Sequence, residues 1–361
     1  MRARLALGLV LWAGLGFSAQ ASSDGIACLK AQLHDLGHYD GPLGGTANLN
    51  VLAAAQAWRQ DRLLPDLSLS TAMTWCRTIG LLDPDQQRFW PSQKTPDVFS
   101  TSAEGEAALR DGDAVVRAFF QETYGIGLAT PVAIVGSGRL RQLDDLVTQA
   151  LRAQNRNYRA RPLPTERFCR KGRIGGAANR GYMVFCWPGS DETTSWNAQA
   201  QASLLSVMVH EYAHQVQYAL ASDDPPRRVG GDWALRPHWF VEGMAELIEW
   251  QFVTGAELAE GADLFNLQTP ARRSRATLDT LVSHGAVKDA RTYGVARFAV
   301  YLLVQRHGID ALFDYLRALG RGETPEVAFE ATFQISPEAY TEVFEGLRRD
   351  FGAARRFGRG E

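Results

Sequence analysis

The stretch "VMVHEYAHQVQ", Val207 to Gln217, places His210, Glu211 and His214 within two turns of an otherwise apolar segment. At about 100° per residue, Leu205, Met208, Val209, Tyr212 and Val216 form an apolar stripe, and His210 and His214 project together from the opposite side. Val207 and Ala213 border the pair, so the histidines read as the wall of a cleft rather than as open surface. Two imidazoles four residues apart, with a carboxylate beside the first, let one helical face present a pair of metal ligands and a proton acceptor. A catalytic zinc site takes three protein ligands and keeps its fourth position for water, so one further ligand has to arrive from elsewhere in the chain.

"PHWFVEGMAELIEW", Pro237 to Trp250, supplies candidates. Its helix is apolar nearly all round except for Glu242, Glu246 and Glu249, which share one face at i, i+4 and i+7. Alone, they read as a solvated acidic stripe, although like charges at that spacing mildly destabilise a helix. A cation beside them removes the penalty. Glu242 is the favoured ligand: it lies in the first turn after Pro237, and Gly243 beside it lets the two helices approach. Glu246, a turn further on, is then placed to accept a hydrogen bond from a ligating imidazole. His238 and His284 read as surface or capping histidines.

His-Glu-Tyr-Ala-His followed by Trp-Phe-Val-Glu-Gly-Met-Ala-Glu resembles the gluzincin peptidases, in their peptidase-MA-like branch, over residues 104–352. "RTYGVARFAVYLLVQRHGIDALFDYL" and "TPEVAFEATFQISPEAYTEVFEGL" are similar to that branch's C-terminal helices. No His-x-x-Gly-x-x-His extension follows His214, which separates the chain from the metzincin pattern. The connection "SDDPPRRVGGDWALRPH" is longer than in compact aminopeptidase-like gluzincins. The resemblance implies an α+β, thermolysin-like domain with a small sheet and a helical C-terminal lobe. It also implies one Zn²⁺ on His210, His214 and Glu242, with Glu211 as general base and a peptide or protein as substrate. Tyr293 stands where that pattern often has a tyrosine, as a donor to the oxyanion; on its own sequence it is equally a packing aromatic beside Phe298 and Tyr301.

The whole chain sets the setting for this domain. Its 361 residues are 45% hydrophobic and 22% charged, with a net charge of −2, and the Lys and Arg residues are scattered, so nucleic acid is not an expected partner. Arg2 and Arg4 precede an apolar run from Leu5 to Phe17, and Ala19-Gln20-Ala21 offers the small residues of a signal-peptidase site. The run is shorter than the roughly 20 residues of a spanning helix. The expectation is export, to the periplasm or medium, with residues 1–21 removed and no transmembrane anchor in the mature chain.

Export makes the four cysteines legible as disulfides, since none shows the Cys-x-x-Cys spacing of a metal or redox site. Spacing alone leaves three pairings open. Because Cys28 and Cys76 flank one local unit and Cys169 and Cys186 another, sequential pairing is expected.

"CLKAQLHDLGHYDGPLGG" and "VLAAAQAWRQDRLLPD" read as a helix, a Gly/Pro turn and a second helix. They resemble the three-helix peptidoglycan-binding-like domain, which implies such a domain over residues 24–83 and peptidoglycan as a partner. Gly44-Gly45 replaces the Asp-Gly usual in that turn, so a structural or partner-binding role stands beside glycan binding. Residues 84–103 carry Pro84, Pro91 and Pro96 without helical or strand periodicity and read as a linker. Residues 353–361, rich in Arg and Gly, read as a flexible, solvated tail. Two other functions remain open on sequence: a peptidoglycan stem-peptide hydrolase, and a wall-binding protein with a peptidase-like fold and no turnover.

Overall fold

A computed structural model of the chain describes residues 18–35, 37–43, 51, 54–55, 76, 96–128, 132–154, 168–169, 173–188, 196–221, 237–255 and 264–361. Residues 1–17 of the expected leader, most of the expected N-terminal domain and the long 222–236 connection lie outside them. Helix α1 (Ser18–Asp35) buries Leu29 and Leu33, and Gly37 turns the chain at φ +74°. Cys28 on α1 is joined to Cys76.

A four-stranded sheet of order β1-β2-β4-β3 organises the following segment. Strands β1 (Val98–Ser100), β2 (Ala133–Ser137) and β4 (Tyr182–Cys186) run parallel, and β3 (Gly175–Asn179) pairs antiparallel with β4. Every residue of β2 and β4 is buried, as expected of central strands covered on both faces. Ala133, Val135, Tyr182 and Val184 face helix α3 (Leu143–Ala153), whose Leu143, Leu146, Val147, Ala150 and Leu151 form one apolar face. Ile134, Met183 and Phe185 face the opposite way, into the core made with helices α2 (Ala103–Tyr124) and α4 (Ala198–Ala221). The fold is thus α+β, mostly helical, with a small sheet.

Two expectations are corrected here. β1 lies inside the stretch 84–103 read as a linker: three residues are too few to show a period of two, and pairing with β2 fixes them as strand. The C-terminal residues are not a loose tail. Helix α11 (Phe351–Gly358) buries Ala354 and Phe357, and Arg306 lies 4.8 Å over the Phe357 ring, so the arginines flank an apolar contact that composition hides.

The helical lobe continues with α5 (His238–Thr254), α6 (Leu264–Arg273), α7 (Ala290–His307), α8 (Asp310–Gly320), α9 (Pro325–Phe333) and α10 (Pro337–Leu347). At its centre α5 packs between α4 and α7. Gly243 makes the α5–α7 approach possible: a Cβ there would lie 2.3 Å from Ala296 O. Its missing side chain therefore admits α7, not the histidine helix. Among the described residues no helix is long and apolar enough to cross a membrane.

Candidate metal centre

Helix α4 carries His210, Glu211 and His214, all buried although polar. Nε2 of His210 lies 3.4 Å and Nε2 of His214 3.7 Å from the same atom, Oε2 of Glu242 on α5. Three donors bound to one ion in a tetrahedron at ~2.0–2.1 Å would stand ~3.3–3.4 Å apart. The two separations to Glu242 Oε2 are close to that edge, all three donors lie within 4.8 Å of one another, and two nitrogens with one carboxylate oxygen are a donor set suited to zinc.

The outer ring nitrogens are already committed. His214 Nδ1 lies 2.9 Å from Gln217 Oε1, and Gln217 Nε2 donates to Val241 O at 2.8 Å. A carbonyl only accepts, so the amide is oriented and His214 must carry a proton on Nδ1, which leaves Nε2 as the nitrogen able to ligate. His210 Nδ1 lies 3.2 Å from Glu249 Oε2, with the same consequence. Ser206 donates to the other oxygen of Glu249. With both Nδ1 atoms engaged as donors, Nε2 is the nitrogen of each ring left to give its lone pair to an ion beside Glu242, in exchange for any proton it holds.

The carboxylate on His210 is therefore Glu249, where the sequence reading placed Glu246. Glu246 stays near, since its carboxylate, that of Glu249 and a nitrogen of His210 lie within 4.8 Å of one another. Arg297 on α7 stands 3.6 Å from Glu246 and supplies the positive charge on that side. With a guanidinium present and His210 Nδ1 bonded to Glu249, this second donor group is a counter-charge cluster rather than a second ion site.

Charge in the site is balanced at close range. Burial disfavours charge on His210, yet Glu242 and Glu249 raise its pKa well above the usual imidazole value. Burial pushes Glu242 up, but His214 and His210 hold it well below the usual carboxylate range. Burial raises Glu211, and the two imidazoles oppose that only in part. Its side chain touches the sheet: a Cβ on Gly176 of β3 would lie 2.9 Å from Glu211 Cγ.

Tyr293 reaches the centre from α7. Asp289 caps that helix, accepting from the backbone N–H groups of Arg291 and Thr292 at 3.0 Å each, which fixes the turn that carries the tyrosine. Its ring meets His210 edge-on at 5.9 Å. Burial, then Glu242 and Glu211, raise its pKa, so the phenol keeps its proton and is a donor.

Sequence reasoning missed Gln217 and Tyr218, and it named Glu249 and His238 without giving them a part in the centre. Gln217, Glu249 and Tyr218 stand at regular helical intervals from ligands, and spacing could have flagged them; Tyr218, at i+4 from His214, has its pKa raised by burial and by Glu211 and Glu242. His238 is neither surface nor a cap: it is buried, with Nε2 3.5 Å from Glu242 Oε1 and its ring 4.9 Å from that of the exposed His284. Only the fold shows that, because α5 starts against the 282–284 turn, where His238 N donates to Val282 O. Both sequential disulfides are present, Cys28–Cys76 and Cys169–Cys186.

No family model, curated protein or solved structure matches this chain.

Proposed function

We propose that this protein is an exported zinc-dependent metallopeptidase. The observation that carries the reading is the convergence of His210 Nε2, His214 Nε2 and Glu242 Oε2 while both Nδ1 atoms are engaged by Glu249 and Gln217. Zinc held by those three residues would supply Lewis acidity, making water more acidic and a substrate carbonyl more electrophilic. Glu211 takes a proton from the water that attacks the peptide carbonyl carbon, and returns it to the amine nitrogen as the C–N bond breaks. Tyr293 donates its phenolic proton in a hydrogen bond to the carbonyl oxygen as negative charge grows there.

The substrate is an extended peptide. Among the described residues β3 is an edge strand paired only with β4, and it runs along α4 beside Glu211, so its outer side can offer N–H and C=O groups to a second extended backbone. Two disulfides agree with an oxidising, exported setting.

The test combines metal content with turnover. Zinc-loaded protein is incubated with a mixed peptide library and, separately, with purified sacculi, with and without a chelator. Chelator-sensitive cleavage of peptide bonds is expected, and Glu211→Gln should keep stoichiometric zinc while losing several orders of magnitude in rate. Cleavage of neither substrate, or full activity in Glu211→Gln, would sink the reading.

A further inference from the structure

Gln215 follows His214 on α4, and its side chain is buried. Among the described residues its side-chain hydrogen bonds go to the end of the β3–β4 hairpin. Oε1 accepts from Gly181 N at 3.1 Å, and Nε2 donates to Asn179 O at 2.8 Å and to Tyr182 O at 3.0 Å. Carbonyls only accept and the glycine N–H only donates, so the amide has a single orientation and both ends are used. The bonded atoms belong to the last residue of β3, the glycine of the turn (φ +84°) and the first residue of β4.

The other end of β3 is tied as well. Gly175 is in register with Cys186, which is bridged to Cys169. Between the two ties Gly176 lies against the helix, where a Cβ would come 2.7 Å from Val207 Cγ1 and 2.9 Å from Glu211 Cγ. Glu211 and Gln215 are one helical turn apart, about 6 Å along α4. A leucine would fill the same volume without hydrogen bonds. Gln215 instead fixes where along α4 the hairpin ends, and so where the outer edge of β3 in the described sheet lies relative to Glu211.

We propose that Gln215 is a positioning residue: it clamps the β3–β4 hairpin to the histidine helix and sets the distance and register between the β3 edge and the Glu211 centre, so that an extended peptide is held in line for attack. This rests on the peptidase reading, with β3 as the docking edge. Preorganisation of this kind is steep, since misplacement by about 1 Å can cost on the order of 100-fold.

Gln215→Leu removes all three bonds, and Gln215→Glu keeps the acceptor for Gly181 while losing both donors. For the wild type and each variant, zinc content, hydrogen exchange at the amides of Gly176 to Ala178, and affinity for two zinc-directed probes are measured: acetohydroxamate and a tetrapeptidyl hydroxamate. The variants should keep their zinc and hold acetohydroxamate within ~2-fold, lose ~10-fold or more for the peptidyl probe, and exchange faster along β3 but not along α4. Equal loss for both probes would reduce Gln215 to general support of the fold and overturn the proposal. Unchanged β3 exchange would overturn it too, as would a wild type that binds the peptidyl probe no better than acetohydroxamate. If the wild type binds neither zinc nor acetohydroxamate, the peptidase reading fails instead, and β3 exchange alone decides the clamp. Should Gln215→Leu not fold, Gln215→Glu carries the same comparisons.

Discussion

Gly243→Ala tests whether close approach of α5 to α7 builds the metal centre. The new Cβ would stand 2.3 Å from Ala296 O, 2.6 Å from Ala296 C and 2.8 Å from Val300 Cγ2. The nearest neighbour is a backbone carbonyl inside a helix, so it cannot swing away as a side-chain tip would. Ordinary contact then requires the helices to separate by about 1 Å through a core in which Met244, Ala245, Val295, Ala296 and Val300 are fully buried. Overpacking of this kind costs ~1–3 kcal/mol, and the upper half of that range applies where backbone must move. For a domain of this size that corresponds to a fall in Tm of roughly 3–10 °C. Thermal and denaturant unfolding of the chelator-treated protein measure it without a contribution from bound metal. Gly346→Ala is the control: nothing lies within 4 Å of a Cβ there, so that helical alanine should be neutral or stabilise by ~0.5 kcal/mol. Because Glu242 precedes Gly243 and Tyr293 lies on the displaced helix, zinc affinity should fall together with stability. A Gly243→Ala protein within ~0.5 kcal/mol of wild type would refute the packing argument, since a surface-sized effect is incompatible with a 2.3 Å contact.

Glu249→Ala should weaken zinc binding ~10- to 100-fold, as expected when the partner of a ligating imidazole is lost, while Glu246→Ala should change it less; competition with a chromogenic chelator compares the two, and the reverse order would return the His210 contact to Glu246. Replacing Cys169 and Cys186 by serine opens a bridge with a sequence separation of 17 and should cost ~3 kcal/mol; an unchanged denaturation midpoint would refute it. Arg348→Met removes a buried guanidinium that donates to Ala271 O, Ser274 O and Ala276 O and pairs with Glu345 at 2.8 Å; a loss of ~3 kcal/mol in chemical unfolding is expected, and a loss below ~1 kcal/mol would show that these bonds are replaced by water.

The histidine pair, Glu211 and Glu242 were legible because each depends on local helical spacing or on a short motif. The small sheet was expected through the family resemblance, and β2 and β4 are apolar runs bounded by Gly and Pro that a local reading can find. What sequence did not disclose depends on which surface meets which. Gly243 announces a close approach but not its partner, and that partner proved to be Ala296 on α7 rather than the histidine helix. β1 carries too few residues to show a period and becomes a strand only by pairing with β2.

Glu246 and Glu249 show where the limit falls. Counted from Glu242 at 100° per residue, Glu246 lies about 40° to one side of the ligand and Glu249 about 20° to the other, so both belong to the acidic face. Helical spacing from Glu242 drew attention to Glu246, one turn on, yet the imidazole is oriented by Glu249, two turns on. The difference comes from how α4 and α5 run beside each other. His210 spans from Glu242 at Nε2 to Glu249 at Nδ1, and Ser206, one turn earlier on α4, holds the second oxygen of Glu249. Ser206, His210 and His214 thus follow successive turns of α4 while Glu249 and Glu242 follow α5 in the opposite order, as antiparallel neighbours must. Glu246 falls between them on the side turned to α7, where Arg297 meets it. The three carboxylates on one face are therefore each matched to a partner, Glu242 to Nε2 of His210 and His214, Glu249 to Nδ1 of the same His210 and Glu246 to Arg297, which is why a stripe that would destabilise an isolated helix is compatible with burial in this one.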